Sequence, residues 1–153
     1  MRVVGYLRVS TGEQAESGLG LEAQRARIEA YAALYEHAVV RWCVDAGASA
    51  KTLDRAGLRD ALSSLSSGEA DGVCVAKLDR LTRSVRDLGE LLDGPFRASA
   101  LVSVGEQIDT ATAAGRMVLN ILASVAQWER EAIGERTSAA LSSKRARGER
   151  VGA

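Results

Sequence analysis

The sequence carries a single histidine, two cysteines and no net charge, and it has no apolar run near the ~18 residues of a membrane span. Each shortage removes a class of function. Without an apolar leader segment at the N-terminus, the chain reads as soluble and cytoplasmic, with no membrane partner. Cys43 and Cys74 sit in separate apolar, strand-like runs and share no CxxC or Cys/His spacing. They read as buried reduced thiols, not as a disulfide or a metal site. The chain also lacks a GxSxG elbow, a GxxxxGK(S/T) loop and a GxGxxG turn. That removes serine esterases, P-loop NTPases and dinucleotide binders.

What is present is enough apolar sequence, 46% of 153 residues, for one well-filled domain. Val3-Val4-Gly5-Tyr6-Leu7-Arg8-Val9-Ser10 is a short β-branched run that predicts a buried strand, and period-2 alternation puts Tyr6, Arg8 and Ser10 on one side of it. A helix is predicted from Leu21 to Tyr35, with Leu21, Gln24, Ile28, Tyr31 and Tyr35 on one face. Ala38–Val44 predicts a second strand, Gly72–Lys77 a third and Ala100–Val104 a fourth. Between them, Asp54 has the place of an N-cap for a helix striped by Leu58, Ala61, Leu62 and Leu65. Leu81, Val85, Leu88 and Leu92 stripe another, stopped by Gly94-Pro95. The longest helix is predicted from Ala113 to Arg147. Its first half is apolar nearly all round (Met117, Val118, Leu119, Ile121, Leu122, Val125), a width that points to a second subunit.

Strands alternating with helices predict an α/β fold with a mainly parallel four- to five-stranded sheet flanked by helices. Ligands of such sheets bind beyond the carboxyl ends of the strands. Ser10, Ser49, Arg55, Asp79, Arg80, Arg83 and Glu106 all fall at that rim, whereas His37 precedes the second strand and belongs to the opposite one. A serine without a histidine argues against a Ser-His-Asp hydrolase. A serine among arginines fits phosphate, because guanidinium stays charged and pairs two oxygens at once. Arg80 and Arg83, three apart at the start of a predicted helix, are expected to share a face there. The C-terminal stretch, where Lys144, Arg145, Arg147 and Arg150 face Glu149 alone, points the same way, toward a polyanion.

Five blocks in order carry a resemblance: Tyr6-Leu7-Arg8-Val9-Ser10; Leu21-Glu22-Ala23-Gln24; Asp54-Arg55-Ala56-Gly57-Leu58; Leu78 through Ser84; and Glu129-Arg130-Glu131 with Gly134-Glu135-Arg136-Thr137. Together they resemble the catalytic domain of serine recombinases, the resolvase/invertase family. Ser17-Gly18-Leu19-Gly20-Leu21-Glu22-Ala23-Gln24 looks most like the large integrase and transposase branch. The resemblance implies that Ser10 attacks a phosphodiester of double-stranded DNA, giving a 5′-phosphoserine link. It implies that Arg8, Arg80 and Arg83 hold the scissile phosphate, that Arg55 and Arg136 are further active-site arginines, and that Tyr6, Gln24, Ser49 and Asp79 support them. Neither metal, ATP nor another cofactor is implied. The same resemblance divides the chain into an α/β core (residues 1–110), a long helix (111–147) and the start of a linker (148–153) to a DNA-binding region absent from this sequence. The helix would build a homodimer and a synaptic homotetramer and bring its basic end to DNA.

Two other functions compete. A metal-dependent nuclease or topoisomerase-like domain would use Asp45, Asp79, Glu106 and Asp109, although these form no tight carboxylate cluster in sequence. A catalytically silent oligomerisation module would use only the long helix.

Overall fold

A computed structural model describes residues 1–10, 20–47 and 52–150. The chain alternates β1 (Arg2–Val9), α1 (Leu21–Leu34), β2 (Ala38–Ala46), α2 (Ala56–Ser66), β3 (Gly72–Val75), α3 (Leu78–Leu81), α4 (Val85–Asp93), a 3-10 turn (Pro95–Arg97), β4 (Ala100–Ser103), β5 (Ile108–Asp109) and α5 (Ala113–Ala146). The sheet order is β2-β1-β3-β4-β5. The first four strands are parallel and β5 is antiparallel to β4. The mainly parallel sheet expected from the sequence is thus present, with a two-residue fifth strand too short to register as a pattern.

β1 lies inside the sheet, so both its faces are covered. Val3 and Leu7 pack with Ile28 of α1, Cys74 and Val102 on one face. Val4 and Tyr6 pack with Leu58, Ala61, Leu81, Leu91, Phe96 and Leu119 on the other. Gly5 is where Trp42 of the neighbouring strand crosses β1: a Cβ there would lie 2.2 Å from the indole Cζ3. Gly5→Ala is therefore expected to cost about 1–3 kcal/mol by overpacking, read as a lower urea midpoint with a shifted Trp42 emission. Both cysteines are buried and free, and burial pushes the Cys74 thiol up to about 12.

Several predicted boundaries move, each for a physical reason. β2 continues to Ala46, because the polar Asp45 that looked like loop turns inward and finds three donors. The α2 N-cap is Arg55, not Asp54, and it makes no side-chain cap bond; the Asp45 carboxylate takes the first helical amides instead. Tyr35 lies past the end of α1, 56% exposed, with its ring against Tyr31. The helix predicted around Leu81–Leu92 is two helices. Thr82 is extended (φ −160°, ψ 154°) and its hydroxyl accepts from Ser84 N, after which Ser84 caps α4 through Asp87 N.

The 34 residues of α5 span roughly 51 Å at 1.5 Å per residue. Its first turns are seated against the core, and farther along Gln127, Arg130 and Glu131 lie beside Val85, Arg86 and Gly89 of α4. Leu119 is buried, and Gly115 lies so close to β5 that a Cβ would fall 2.0 Å from the Asp109 carbonyl oxygen. Met117, Val118, Ile121, Leu122, Val125 and Trp128 remain exposed, so the broad apolar face read from the sequence is not covered by this chain. Among the described residues, no helix is long and apolar enough to cross a membrane.

Candidate active site

The site begins where β3 ends. β1 pairs with β3 only as far as Tyr6–Val75, yet β1 runs on to Val9. The backbone of Arg8 faces the missing strand there, and its buried N–H and carbonyl need partners from elsewhere, because leaving them unpaired is costly. Gln24 supplies them. Its carboxamide accepts from Arg8 N at 3.2 Å and donates to Arg8 O at 2.9 Å, acting as one more peptide unit of β3. The polar member of the α1 stripe, fully buried, is therefore a sheet extender that holds the end of β1 just before Ser10.

Beside it stands α3, a single turn of four residues. A helix leaves its last four carbonyls without intrahelical donors, and here α3 is almost nothing but its last four. Thr82 N takes Leu78 O. Arg8 Nη2 donates to Asp79 O and Arg8 Nε to Arg80 O, both at 2.9 Å. Arg55 Nη1 donates to Arg80 O at 3.2 Å, and its Nη2 donates to Leu81 O. Arg80 closes the loop, donating from Nη1 to Arg8 O and pairing its Nε with Asp79 Oδ1 at 3.0 Å. Arg8, Arg55 and Arg80 are each at most 4% exposed.

The knot extends inward through Tyr6. Arg55 Nη1 donates to the Tyr6 hydroxyl at 2.7 Å, and that hydroxyl donates to Asp45 Oδ2 at 2.8 Å. Burial pushes the Tyr6 phenol well above its ordinary pKa, and the Asp45 hydrogen bond adds to it, so Tyr6 is a neutral donor at any working pH. Asp45 also accepts from Gly57 N at 2.8 Å and Leu58 N at 3.0 Å, capping α2 from a strand.

Comparison with known proteins decides which family the chain belongs to. The family model described as "Resolvase, N terminal domain" matches residues 3–150. The chain is a member of the resolvase family of serine recombinases. The DNA-invertase of Escherichia phage P1 is 38% identical over 151 residues, covering 98% of this chain and 73% of the invertase. DNA-invertase hin of Salmonella typhimurium is 34% identical, covering 97% and 71%. Among solved structures, the N-terminal catalytic domain of TP901-1 integrase superposes with a TM-score of 0.76 at 37% identity, covering 86% of this chain and 98% of that one. A resolvase family site-specific recombinase from Streptococcus pneumoniae gives 0.69 at 30%, covering 94% and 97%. Invertases and an integrase both lie close, and the recombinase fold read from the sequence holds.

Within this recombinase domain, β1, α1, α2 and α3 bring together Tyr6, Arg8, Ser10, Gln24, Arg55, Asp79 and Arg80. Ser10 is half-buried, immediately after β1. Arg83 does not share a helical face with Arg80, because the extended Thr82 separates them; it is exposed on the link between α3 and α4. Arg136 is exposed far along α5, roughly 35 Å from the helix start, and the described residues do not place it at the site. Ser49 lies outside the described residues.

Asp45 is the residue that sequence reasoning missed. It entered only as a metal-ligand candidate, and its one visible signal was an acid closing an apolar strand. The four carboxylates of that metal reading are each engaged separately: Asp45 by Tyr6 and α2, Asp79 by Arg80, Glu106 by Leu78 N and Ser103, Asp109 by Ala111 N. Among the described residues no group of three His, Cys, Asp or Glu could hold a metal ion.

Proposed function

We propose that this site-specific recombinase domain cuts and rejoins DNA through Ser10. Its Oγ attacks the scissile phosphorus, the bond to the 3′-oxygen breaks, and the products are a 5′-phosphoserine ester and a free 3′-hydroxyl. Strand exchange then precedes the reverse attack by a 3′-hydroxyl. One phosphodiester replaces another at each step, so the linkage energy is conserved and rejoining needs neither ATP nor a cofactor. The observation that carries this reading is Ser10 emerging from β1 beside the Arg8–Arg55–Arg80 knot, while the single histidine is held by the Met1 amine at the opposite rim of the sheet, where the strands begin. Phosphoryl transfer relies mainly on positioning and charge stabilisation, which arginines supply.

The roles divide by what each guanidinium already touches. Arg55 spends Nε on Thr52 O and both terminal nitrogens on Tyr6, Arg80 O and Leu81 O, which suits a scaffold. Arg8, which ties Asp79 O and Arg80 O with two nitrogens, and Arg80 flank the end of β1 and stabilise the charge that develops on the phosphate, with Arg83 approaching from the solvent side. Asp79 orients Arg80. Residues 1–110 act as the catalytic core. Residues 111–147 use the exposed apolar face of α5 to form a dimer and a synaptic tetramer, and the basic end of α5 approaches duplex DNA. Ser49 and Arg136 complete the site in that assembled state.

The deciding experiment incubates the full-length recombinase with DNA carrying its crossover site in EDTA, under conditions that trap cleavage. A covalent protein–DNA adduct is expected with the wild type and none with Ser10→Ala. An adduct that survives Ser10→Ala, or disappears with EDTA, would overturn the mechanism.

A further inference from the structure

The C-terminal end of α3 is held by Arg8 and Arg55. Its N-terminal end is held by something the catalytic reading leaves unused. Lys77 occupies the N-cap and contributes no side-chain cap bond. The amide of Leu78, the first helical donor, points instead to the carboxylate of Glu106, 3.2 Å to Oε2 and 3.5 Å to Oε1. Glu106 comes from the turn between β4 and β5, and it is itself fixed by the hydroxyl of Ser103, the fully buried last residue of β4. The two loops are pressed together by backbone as well: Val104 N donates to Val75 O at 3.0 Å and Gly105 N to Ala76 O at 2.8 Å. A Cβ on Gly105 would lie 2.8 Å from Lys77 Cγ and 2.9 Å from Ala76 O, so the two loops pass too closely for a side chain there.

We propose that Glu106 is a positioning residue for DNA cleavage, anchoring the one-turn helix whose carbonyls hold Arg8 and Arg55. This rests on the Ser10 mechanism and adds a residue to it. The physical need is clear. A single helical turn cannot hold itself, because fixing its dihedrals costs more than its one intrahelical bond returns. Its position, and with it the carbonyls of Asp79, Arg80 and Leu81, is therefore set by side chains at both ends. Glu106 is the N-terminal one, and a carboxylate at a helix N-terminus also meets the favourable end of the peptide dipoles. The turn that carries Glu106 leads directly into β5, against whose Asp109 carbonyl Gly115 of α5 is packed. Glu106 therefore also joins the base of the oligomerisation helix to the arginine knot.

Glu106 does not touch the reacting atoms, and its test must separate positioning from folding. Single-turnover adduct formation is measured with the full-length recombinase at a range of crossover-site DNA concentrations, alongside the thermal unfolding midpoint. Glu106→Ala is expected to lower the rate at saturating DNA about tenfold, with the half-saturating DNA concentration unchanged and the unfolding midpoint close to wild type. Glu106→Gln keeps an oxygen acceptor for Leu78 N and Ser103 and is expected to restore most of the rate. Glu106→Asp, one methylene shorter, is not. Ser103→Ala removes only the support of the carboxylate and should give a smaller loss, which keeps the proposal testable if Glu106→Ala folds poorly. A wild-type rate in Glu106→Ala, or equal losses in the Ala and Gln variants, overturns the positioning role while leaving Ser10 in place. A wild type that forms no Ser10-dependent adduct overturns both.

Discussion

Arg8→Lys is expected to lower single-turnover cleavage by roughly 10²–10³-fold, the usual cost of removing one preorganised donor from a charge-stabilising site. The substitution keeps the charge, so a site that needed only positive potential would tolerate it. This site needs a fork. Arg8 reaches Asp79 O and Arg80 O with two nitrogens at once, both at 2.9 Å, from a side chain only 1% exposed. A lysine ammonium is a single point on a flexible stem and cannot hold both carbonyls in fixed register. Arg80 O keeps Arg55 Nη1 as a donor, but Asp79 O then loses the donor that fixes it, and the register of the α3 carbonyls next to the end of β1 is lost with it. Arg86→Lys serves as a control, since Arg86 is exposed and pairs with Glu90 one helical turn along α4. It is expected to cleave at the wild-type rate. Arg8→Lys cleaving within about threefold of wild type would show that charge, not geometry, is what Arg8 supplies.

The parts of this molecule that were legible in the sequence are those set by local periodicity. The β-branched run Val3–Val9 is the buried strand it promised to be, and Leu58 and Ala61 do face the core from α2. The unpartnered apolar width of α5 was equally plain, because a helix that is apolar on too many sides says so in its own residues. What escaped were residues whose meaning depends on partners distant in sequence. Gln24 stood out as polar in an apolar stripe, yet its purpose follows from β3 stopping at Val75, about fifty residues on. Asp45 looked like the first residue of a loop, because nothing nearby announces that Tyr6, Gly57 and Leu58 will meet its carboxylate. The break at Thr82 was hidden beneath a continuous leucine spacing, since a hydroxyl that turns the backbone leaves no trace in hydrophobic periodicity. Arg136 was legible only by resemblance, and one chain does not bring it to the site.

Asp45→Ala is expected to destabilise the domain by about 2–4 kcal/mol, because three buried donors lose their acceptor together. For a chain of this length that corresponds to a fall of roughly 5–15 °C in thermal midpoint. The loss has two components of different kind. Gly57 N and Leu58 N are helix-end amides, and removing such a cap costs typically ~1 kcal/mol. The Tyr6 hydroxyl is different, because it still accepts from Arg55 and must donate to something. Without Asp45 it has no defined direction, and Arg55 loses its fixed place against Arg80 O and Leu81 O. Cleavage is thus expected to fall by more than the lost stability explains, even at temperatures where the variant is fully folded. The pH dependence separates the two components. The folded Tyr6 pKa is raised, so its contribution is fully present below the ordinary tyrosine value of about 10 and is lost progressively as pH climbs from there toward the higher folded value. Tyr6→Phe is expected to flatten that alkaline limb of the stability profile while leaving the α2 cap intact. Urea unfolding of the wild type and Tyr6→Phe between pH 7 and 11 reads this directly, and equal slopes in the two proteins would remove Tyr6 as the group that titrates.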